Sequence, residues 1–416
     1  MAVNISRRQL LLALPLAGTG LALSTLSSRA QTTGLQSIPY VSGTEGYTCF
    51  RTPSLAITKS GSVLAFGGGR VENCRDDGDH DVVLRRSLDG GRTWQPLQVL
   101  ANDGLKRCDI PMPVRLPTGR ILLLWVRNTF VTRKEDRHER RLMVMHSDDD
   151  GLTWSTPRDV TSQVMLPSWK LWFGIGPGHA FVKQLAPAAG RIIVPARHGQ
   201  DDRGSRSHIL YSDDSGLTWH VGAQAMGPEM TNEATACELG DGSIMLNSRS
   251  NLGYRVVTIC GEGGRVALRS FVDRGLIEPR NGCQASILTY SIDTASKKAT
   301  LLFSNPQNQQ YRTNGRIRLS RDNGKTWTRG FLYQQAVGSF TGYSDLARFE
   351  NGDVALLFES GSSYQKGIFV DPVDGSVTFT NVRGNRRRHN QKGRFDNRHD
   401  GMTFRRIPFN LIAASP

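Results

Sequence analysis

Four copies of one pattern, Ser-x-Asp-x-Gly-x-Thr-Trp, constrain the fold of this chain more than any other feature. They run Ser87–Trp94, Ser147–Trp154, Ser212–Trp219 and Ser320–Trp327, each after a short apolar, strand-like run. The chemistry is that of a turn. Ser and Asp side chains bond their own backbone, Gly accepts a positive φ, and Thr-Trp restarts a strand whose indole can pack between neighbouring sheets. The copies start 60, 65 and 108 residues apart. The long last interval holds a worn copy, Cys260-Gly261-Glu262-Gly263-Gly264, which keeps a Gly in register and has lost Ser, Asp, Thr and Trp. Units 48 to 65 residues apart each have room for about four strands, which implies small sheets repeated radially, a β-propeller.

The 416 residues could form about two or three average domains, but an all-β repeat architecture uses that length as one, and no linker divides it. At the start, Ser6-Arg7-Arg8-Gln9-Leu10-Leu11 precedes the apolar run Leu10–Leu23, and Ser28-Arg29-Ala30 offers small residues for cleavage. Residues 1–30 are read as an export signal whose paired arginines resemble the twin-arginine signal of bacteria; an ordinary secretory signal or a membrane anchor is the alternative. The mature chain, residues 31–416, is then expected in the periplasm or outside the cell. It has no further segment apolar enough for stable membrane insertion.

The net charge of +15 falls to +12 without residues 1–30, which carry Arg7, Arg8 and Arg29 and no acid. Seven basic residues and one acid crowd Arg383–Arg398. A solvated loop is the plain reading, contact with polyanions the sharper one. The stretch lacks the interleaved aromatics used in single-strand stacking, so no nucleic acid partner is expected. Cys49, Cys74, Cys108, Cys237, Cys260 and Cys283 show no CxxC spacing, which argues against zinc. A twin-arginine substrate folds before export in a reducing compartment, so mostly free, buried thiols are expected.

The repeats resemble the Asp-boxes of sialidases, whose catalytic domain is a six-bladed β-propeller of four-stranded antiparallel blades. That resemblance supplies the expected all-β fold. Asp-boxes also occur in other proteins, so function must rest on other residues. Phe50-Arg51-Thr52-Pro53 resembles the family's Phe-Arg-Ile-Pro motif, with Thr52 for Ile, and makes Arg51 the first arginine of a triad that clamps the substrate carboxylate. Strand Val63–Phe66 leads through Gly67-Gly68-Gly69 to Arg70, a further substrate-binding candidate, and then to the acidic loop Asp76–Asp81. Asp76 matches the family's acid/base aspartate. The family commonly carries an acid where this chain has Gly68. Carboxylates at 77, 79 and 81 could share a hard cation, but the full EF-hand pattern is absent and no metal is expected.

The most specific stretch runs Thr231-Asn232-Glu233 through Gly240-Asp241-Gly242 to Asn247-Ser248-Arg249. Two strands joined by that turn form a hairpin, and a hairpin returns its ends to each other, so Glu233 and Arg249 should face one site. The resemblance makes Glu233 the base that activates the nucleophile and Arg249 the second triad arginine. A cross-strand salt bridge is the structural alternative. Arg312 matches the third arginine, Tyr343 in Gly342-Tyr343-Ser344-Asp345 the nucleophile, and Glu359 the carboxylate that orients the first arginine. Trp169 and Trp172 could line the pocket or the core. His179 and His198 are read as structural. The run Gly401–Phe404 is expected to be the closing strand, completing the first blade.

These residue types suit one reaction. Three guanidiniums hold the carboxylate of a sialic acid with paired donors. A neutral phenol deprotonated during attack avoids the repulsion a carboxylate nucleophile would meet. The expectation is an exo-α-sialidase, cofactor-free and monomeric, acting on sialylated glycans. The alternatives are a non-catalytic propeller that binds anionic sugars, and a trans-sialidase or hydrolase of a related nine-carbon sugar acid.

Overall fold

A computed structural model describes residues 34–415 except 77, 129–139, 170–171, 201–203, 334–338, 364–367, 371–376, 381–385 and 389–398. The leader lies outside the described residues. So does the basic stretch Arg383–Arg398, apart from a short strand, Arg386–Arg388, in a three-stranded sheet with Ile368–Val370 and Val377–Thr380.

The chain from Leu35 onward is a propeller-like succession of antiparallel sheets. The turn pattern explains its regularity. In each copy the Ser hydroxyl donates to the Asp carboxylate and accepts the Gly amide, while the Thr amide and hydroxyl close on the same carboxylate. In Ser212–Trp219 these bonds are 2.8, 2.9, 2.8 and 2.6 Å. The worn copy joins Tyr254–Gly261 to Val266–Ile277 at the matching position, with Glu262, Gly263 and Gly264 all at positive φ.

Six separate four-stranded blades were expected, but only four of the sheets with four or five strands stand alone. The other strands form one eight-stranded sheet in which Cys49–Ile57, Val63–Arg70, His80–Ser87 and Gln98–Ala101 continue into Arg107–Arg115, Ile121–Asn128, Arg140–Ser147 and Arg158–Asp159. Its two halves meet through one parallel residue pair, His80 with Arg107. The merger arises where the ends of two strands converge on the cleft.

Closure also differs from expectation. Gly401–Ile407 pairs with Val354–Ser363 on one side and with the N-terminal strand Leu35–Val41 on the other. The N-terminal strand thus completes the last sheet at its outer edge; the C-terminal strand does not complete the first. Strands from the beginning and the end of the propeller are thus hydrogen-bonded in one sheet, with Leu35–Val41 as its outer edge.

The apolar cores lie between sheets. In Ile121–Asn128, Leu122 and Leu124 cluster with Val194, Leu210 and Trp219 of the following sheet, whereas Leu123 and Trp125 cluster with Phe66 and Leu84 of the preceding unit. A strand covered on both faces needs apolar residues at every position, hence the unbroken run Ile121-Leu122-Leu123-Leu124-Trp125. The pattern's tryptophans fill the same seams, Trp94 edge-on to Phe404 and Trp154 edge-on to Phe66.

Candidate active site

Three inner strands reach the cleft with the same irregularity. Pairing slips between Arg51 and Ser54, between Asp109 and Met112, and between Thr341 and Ser344. Such bulges bend a strand and re-aim its side chains. Thr52 and Ile110 sit at φ of 56° and 62°, a region that costs a β-branched residue about 1–3 kcal/mol. Polar bonds hold them there. The Thr52 amide donates to Glu359 Oε1 at 3.1 Å, the Thr52 hydroxyl to Asp109 Oδ1 at 2.7 Å, and the Ile110 amide to the same Asp109 oxygen at 2.6 Å.

Glu359 is fully buried and accepts from Arg51 Nε and from the Thr52 and Tyr343 amides, each at 3.1 Å. Burial alone would raise its pKa. The charges of Arg51, His399 and Arg312 outweigh burial and bring it to about 2. Any side chain on residue 342 would collide with this carboxylate, so the chain needs glycine before Tyr343.

The Tyr343 hydroxyl donates to Glu233 Oε1. One nitrogen of Arg249 donates to both partners, at 3.1 Å to the phenol and 2.7 Å to Glu233 Oε2, and its other terminal nitrogen reaches the Asn281 carbonyl at 2.7 Å. Arg51 and Arg312 stand 5.4 and 5.3 Å from the centroid of the tyrosine ring. Three guanidiniums therefore surround one phenol. The hairpin geometry is as the sequence implied, since Ala234 pairs with Ser248 and the Arg249 amide donates to the Glu233 carbonyl at 2.8 Å.

Asp76 lies on the loop between Val63–Arg70 and His80–Ser87, half exposed, 3.2 Å from Arg51 and 3.1 Å from Arg70. Its carbonyl accepts from Arg107 at 2.7 Å. Desolvation would favour the neutral acid, but Arg70, Arg51 and Arg107 prevail and hold the carboxyl well below the usual range. The cavity between these groups is about 420 Å³ and is lined by Arg51, Arg70, Asp76, Glu233, Arg249 and Tyr343 among others. All the sequence-predicted site residues thus fall in one network, with Arg312 and Glu359 beside and beneath the tyrosine.

Sequence reasoning missed three participants. Asp109, fully buried, accepts from Arg107 at 3.2 and 2.8 Å and lies 3.6 Å from Arg70. A side chain at Gly68 would strike Asp109 Oδ1 at 2.5 Å, so the Asp109 carboxylate occupies the space that a side chain at position 68 would fill. A signal existed, because Cys108-Asp109-Ile110-Pro111 repeats the form of Phe50-Arg51-Thr52-Pro53. Arg107 has no such signal. Nor does Arg197, which is 3.0 Å from Glu233 Oε1 and donates to Asn232 Oδ1 at 3.0 Å. Burial lowers its pKa to about 10.

Trp172 faces the cavity, with Arg140 and Arg197 at 5.0 and 5.8 Å from its ring. Trp169 is core, stacked on His198 at 4.0 Å. His179 is bound to Asp345 at 2.7 Å. In the acidic loop Asp81 accepts from Tyr47 and Asn102, each at 2.7 Å, and Asp77 lies outside the described residues. The cysteine expectation needs one correction. Cys108, Cys237, Cys260 and Cys283 are free and buried, but Cys49 and Cys74 form a disulfide, their Cα atoms 5.3 Å apart where the acidic loop folds back over a strand start.

Fold and site together define a class, propeller-like β proteins whose cleft gathers guanidiniums and carboxylates around one phenol. The BNR repeat-like domain family matches residues 63–356. The chain belongs to this family. It is 33% identical over 348 residues to a sialidase of Micromonospora viridifaciens, covering 79% of this chain and 52% of that protein. It is 28% identical over 344 residues to a sialidase of Bacteroides fragilis, covering 77% and 62%. The chain thus spans about half to three fifths of the length of these relatives. Among solved structures it superposes on Hadza microbial sialidase Hz136 with a TM-score of 0.71 at 26% identity, covering 91% of this chain and 69% of that one. The leech intramolecular trans-sialidase, at 17% identity and a TM-score of 0.71, shares the fold.

Proposed function

We propose that this protein is an exo-α-sialidase that releases terminal sialic acid from glycoconjugates with retention of configuration. The observation that carries the reading is the phenol of Tyr343, bonded to Glu233 and Arg249 and flanked by Arg51 and Arg312. A lone anion site would need the arginines and not this coupled phenol and carboxylate.

In the first step the Tyr343 oxygen bonds to the anomeric carbon and its proton passes to Glu233. The glycosidic C–O bond breaks, and Asp76 delivers a proton to the departing oxygen. In the second step water attacks the same carbon and gives its proton to Asp76. The phenolate leaves and recovers its proton from Glu233. Two inversions give retention.

Asp76 is ion-paired with Arg51 and Arg70, yet it must be protonated to act as an acid. The substrate carboxylate resolves this. By taking Arg51, Arg249 and Arg312 as its own counter-charge, it weakens the part of the pull on Asp76 that comes from Arg51. Activity is accordingly expected on the acid side of neutrality. The pocket's guanidiniums and Trp172 support a sialylated glycan as partner, with the protein working as a monomer. Arg7-Arg8 and the apolar run after them support export to the periplasm or medium through a signal in residues 1–30.

The deciding experiment is hydrolysis of a fluorogenic α-sialoside by the wild type and Tyr343→Phe, with the product anomer read by NMR. Release of the α-anomer by the wild type alone is expected. Equal binding of sialic acid by both proteins with no release by either would leave an anion-binding propeller.

A further inference from the structure

The loop that carries Asp76 is held in two ways. One is ionic: Arg51 and Arg70 pair with the Asp76 carboxylate at 3.2 and 3.1 Å, and the same guanidiniums donate to the Cys74 carbonyl at 3.4 and 2.8 Å, Arg70 also to that of Arg75, and Arg107 to that of Asp76 at 2.7 Å. The other is covalent, the Cys49–Cys74 disulfide. Cys49 stands two residues before Arg51 and Cys74 two before Asp76, so one bond ties the strand of the first triad arginine to the loop of the acid/base.

Among the described residues between Arg70 and His80 the backbone makes one pairing with backbone, Val71 amide to Asp79 carbonyl at 3.1 Å; the Val71 carbonyl also accepts from the Thr48 hydroxyl at 2.7 Å, the Arg75 amide donates to Asn73 Oδ1 at 2.8 Å, and Arg75 and Asp76 are exposed. The ionic restraints come from guanidiniums that face the cleft, and a substrate anion competes for Arg51. The disulfide does not depend on charge and survives substrate binding. Its contribution is local. Cys49 already pairs with Arg70 in the sheet register, and only three residues separate Arg70 from Cys74. The bond therefore closes a short segment over an existing hairpin, and sheet packing does not require it.

Resting on the hydrolase reading above, we infer that Cys49 and Cys74 are positioning residues for the acid/base, and that reduction of their disulfide turns down cleavage of sialosides with poor leaving groups. A dithiol supplies the two electrons and two protons that convert the S–S bond into two thiols and is itself oxidised to its disulfide. Cys74 is partly exposed, whereas the four free cysteines are buried and have no bond to reduce.

The test uses leaving-group chemistry. A sialyl-galactoside needs its leaving oxygen protonated; a 4-nitrophenyl sialoside hardly does. On treatment with dithiothreitol, kcat/KM for the sialyl-galactoside should fall by at least about tenfold, a fraction of what a general acid contributes, while that for the nitrophenyl substrate stays within about threefold. Inhibition by free sialic acid should change by less than about twofold, since the arginines that bind it keep their places. The variant Cys49→Ser/Cys74→Ser should match the reduced wild type and ignore the reductant. Asp76→Asn should show the same split, larger. Equal loss on both substrates, or no loss when mass spectrometry confirms two new thiols, overturns the inference and leaves the hydrolase reading intact. Absence of hydrolysis of both substrates by the oxidised wild type overturns that reading and this inference together.

Discussion

The repeated turns and the cleft are both built from polar contacts, but the contacts span opposite distances along the chain. In the Ser320–Trp327 turn the bonds that Ser320 and Asp322 make to Gly324, Lys325, Thr326 and each other join residues two to four apart. In the cleft, Tyr343 meets Glu233 across 110 residues and Arg51 meets Glu359 across 308. The Ser, Asp, Gly and Thr bonds that close each turn are therefore local, and four segments can carry them independently. The cleft exists only when every inner strand is in place. Tolerance should differ accordingly, with the turns failing one at a time and the cleft failing as a unit.

The sharpest test of that contrast is Tyr343→Phe. It should lower kcat by at least about a thousandfold, because the bond-forming oxygen is gone, while circular dichroism shows an unchanged fold. Next comes Glu359→Gln, which leaves Arg51 buried beside a neutral amide. Loss of that buried pair should cost about 3 kcal/mol in denaturant unfolding and lower kcat/KM by about a hundredfold as Arg51 loses its aim.

pH should separate the two regions. Burial lowers the pKa of His80 and of His198 to about 4 from the ordinary 6.5. A depressed folded-state pKa means that these rings stabilise the protein fully above about pH 6.5, and that the contribution is lost as pH falls toward about 4. The turn carboxylates behave differently. Desolvation opposes the charge on Asp149 and Asp214, but bonds from their own loops prevail and hold both at about 2. Hydrogen exchange on acidification from pH 6.5 to 4 should therefore loosen the strands around His80 and His198 first, with the turns still protected. Simultaneous loss in both regions would erase the distinction.

The smallest effect is expected for Asp214→Ala. It removes a carboxylate that caps one turn, much as a helix N-cap does, and should cost about 1 kcal/mol in denaturant unfolding with kcat unchanged. A large drop in activity would show that turns and cleft are coupled after all.

Much of this site was readable because part of it is local after all. Glu233 and Arg249 face each other because a tight turn at Gly240-Asp241-Gly242 folds one short segment on itself, and hairpin register follows from the turn. Arg51 and Tyr343 were found through short motifs at strand starts. Asp109 escaped, although Cys108-Asp109-Ile110-Pro111 has the same form as the Arg51 motif, because its partner position, Gly68, belongs to another strand. Arg197 escaped because nothing around it in sequence marks it; its role comes from lying beside Glu233 across a sheet boundary.

The sequence by itself determined the repeated turns, the antiparallel sheets between them and the hairpin that joins a glutamate to an arginine. Each of these depends on bonds between near neighbours, so residue type and spacing suffice. Tertiary structure decided the rest. It determined that the N-terminal strand closes the last sheet, that two units merge at His80 and Arg107, and that Asp109 occupies the space Gly68 leaves open. These are meetings of segments whose separation in space is set by how the sheets pack around one another, and no local pattern of residues encodes that distance.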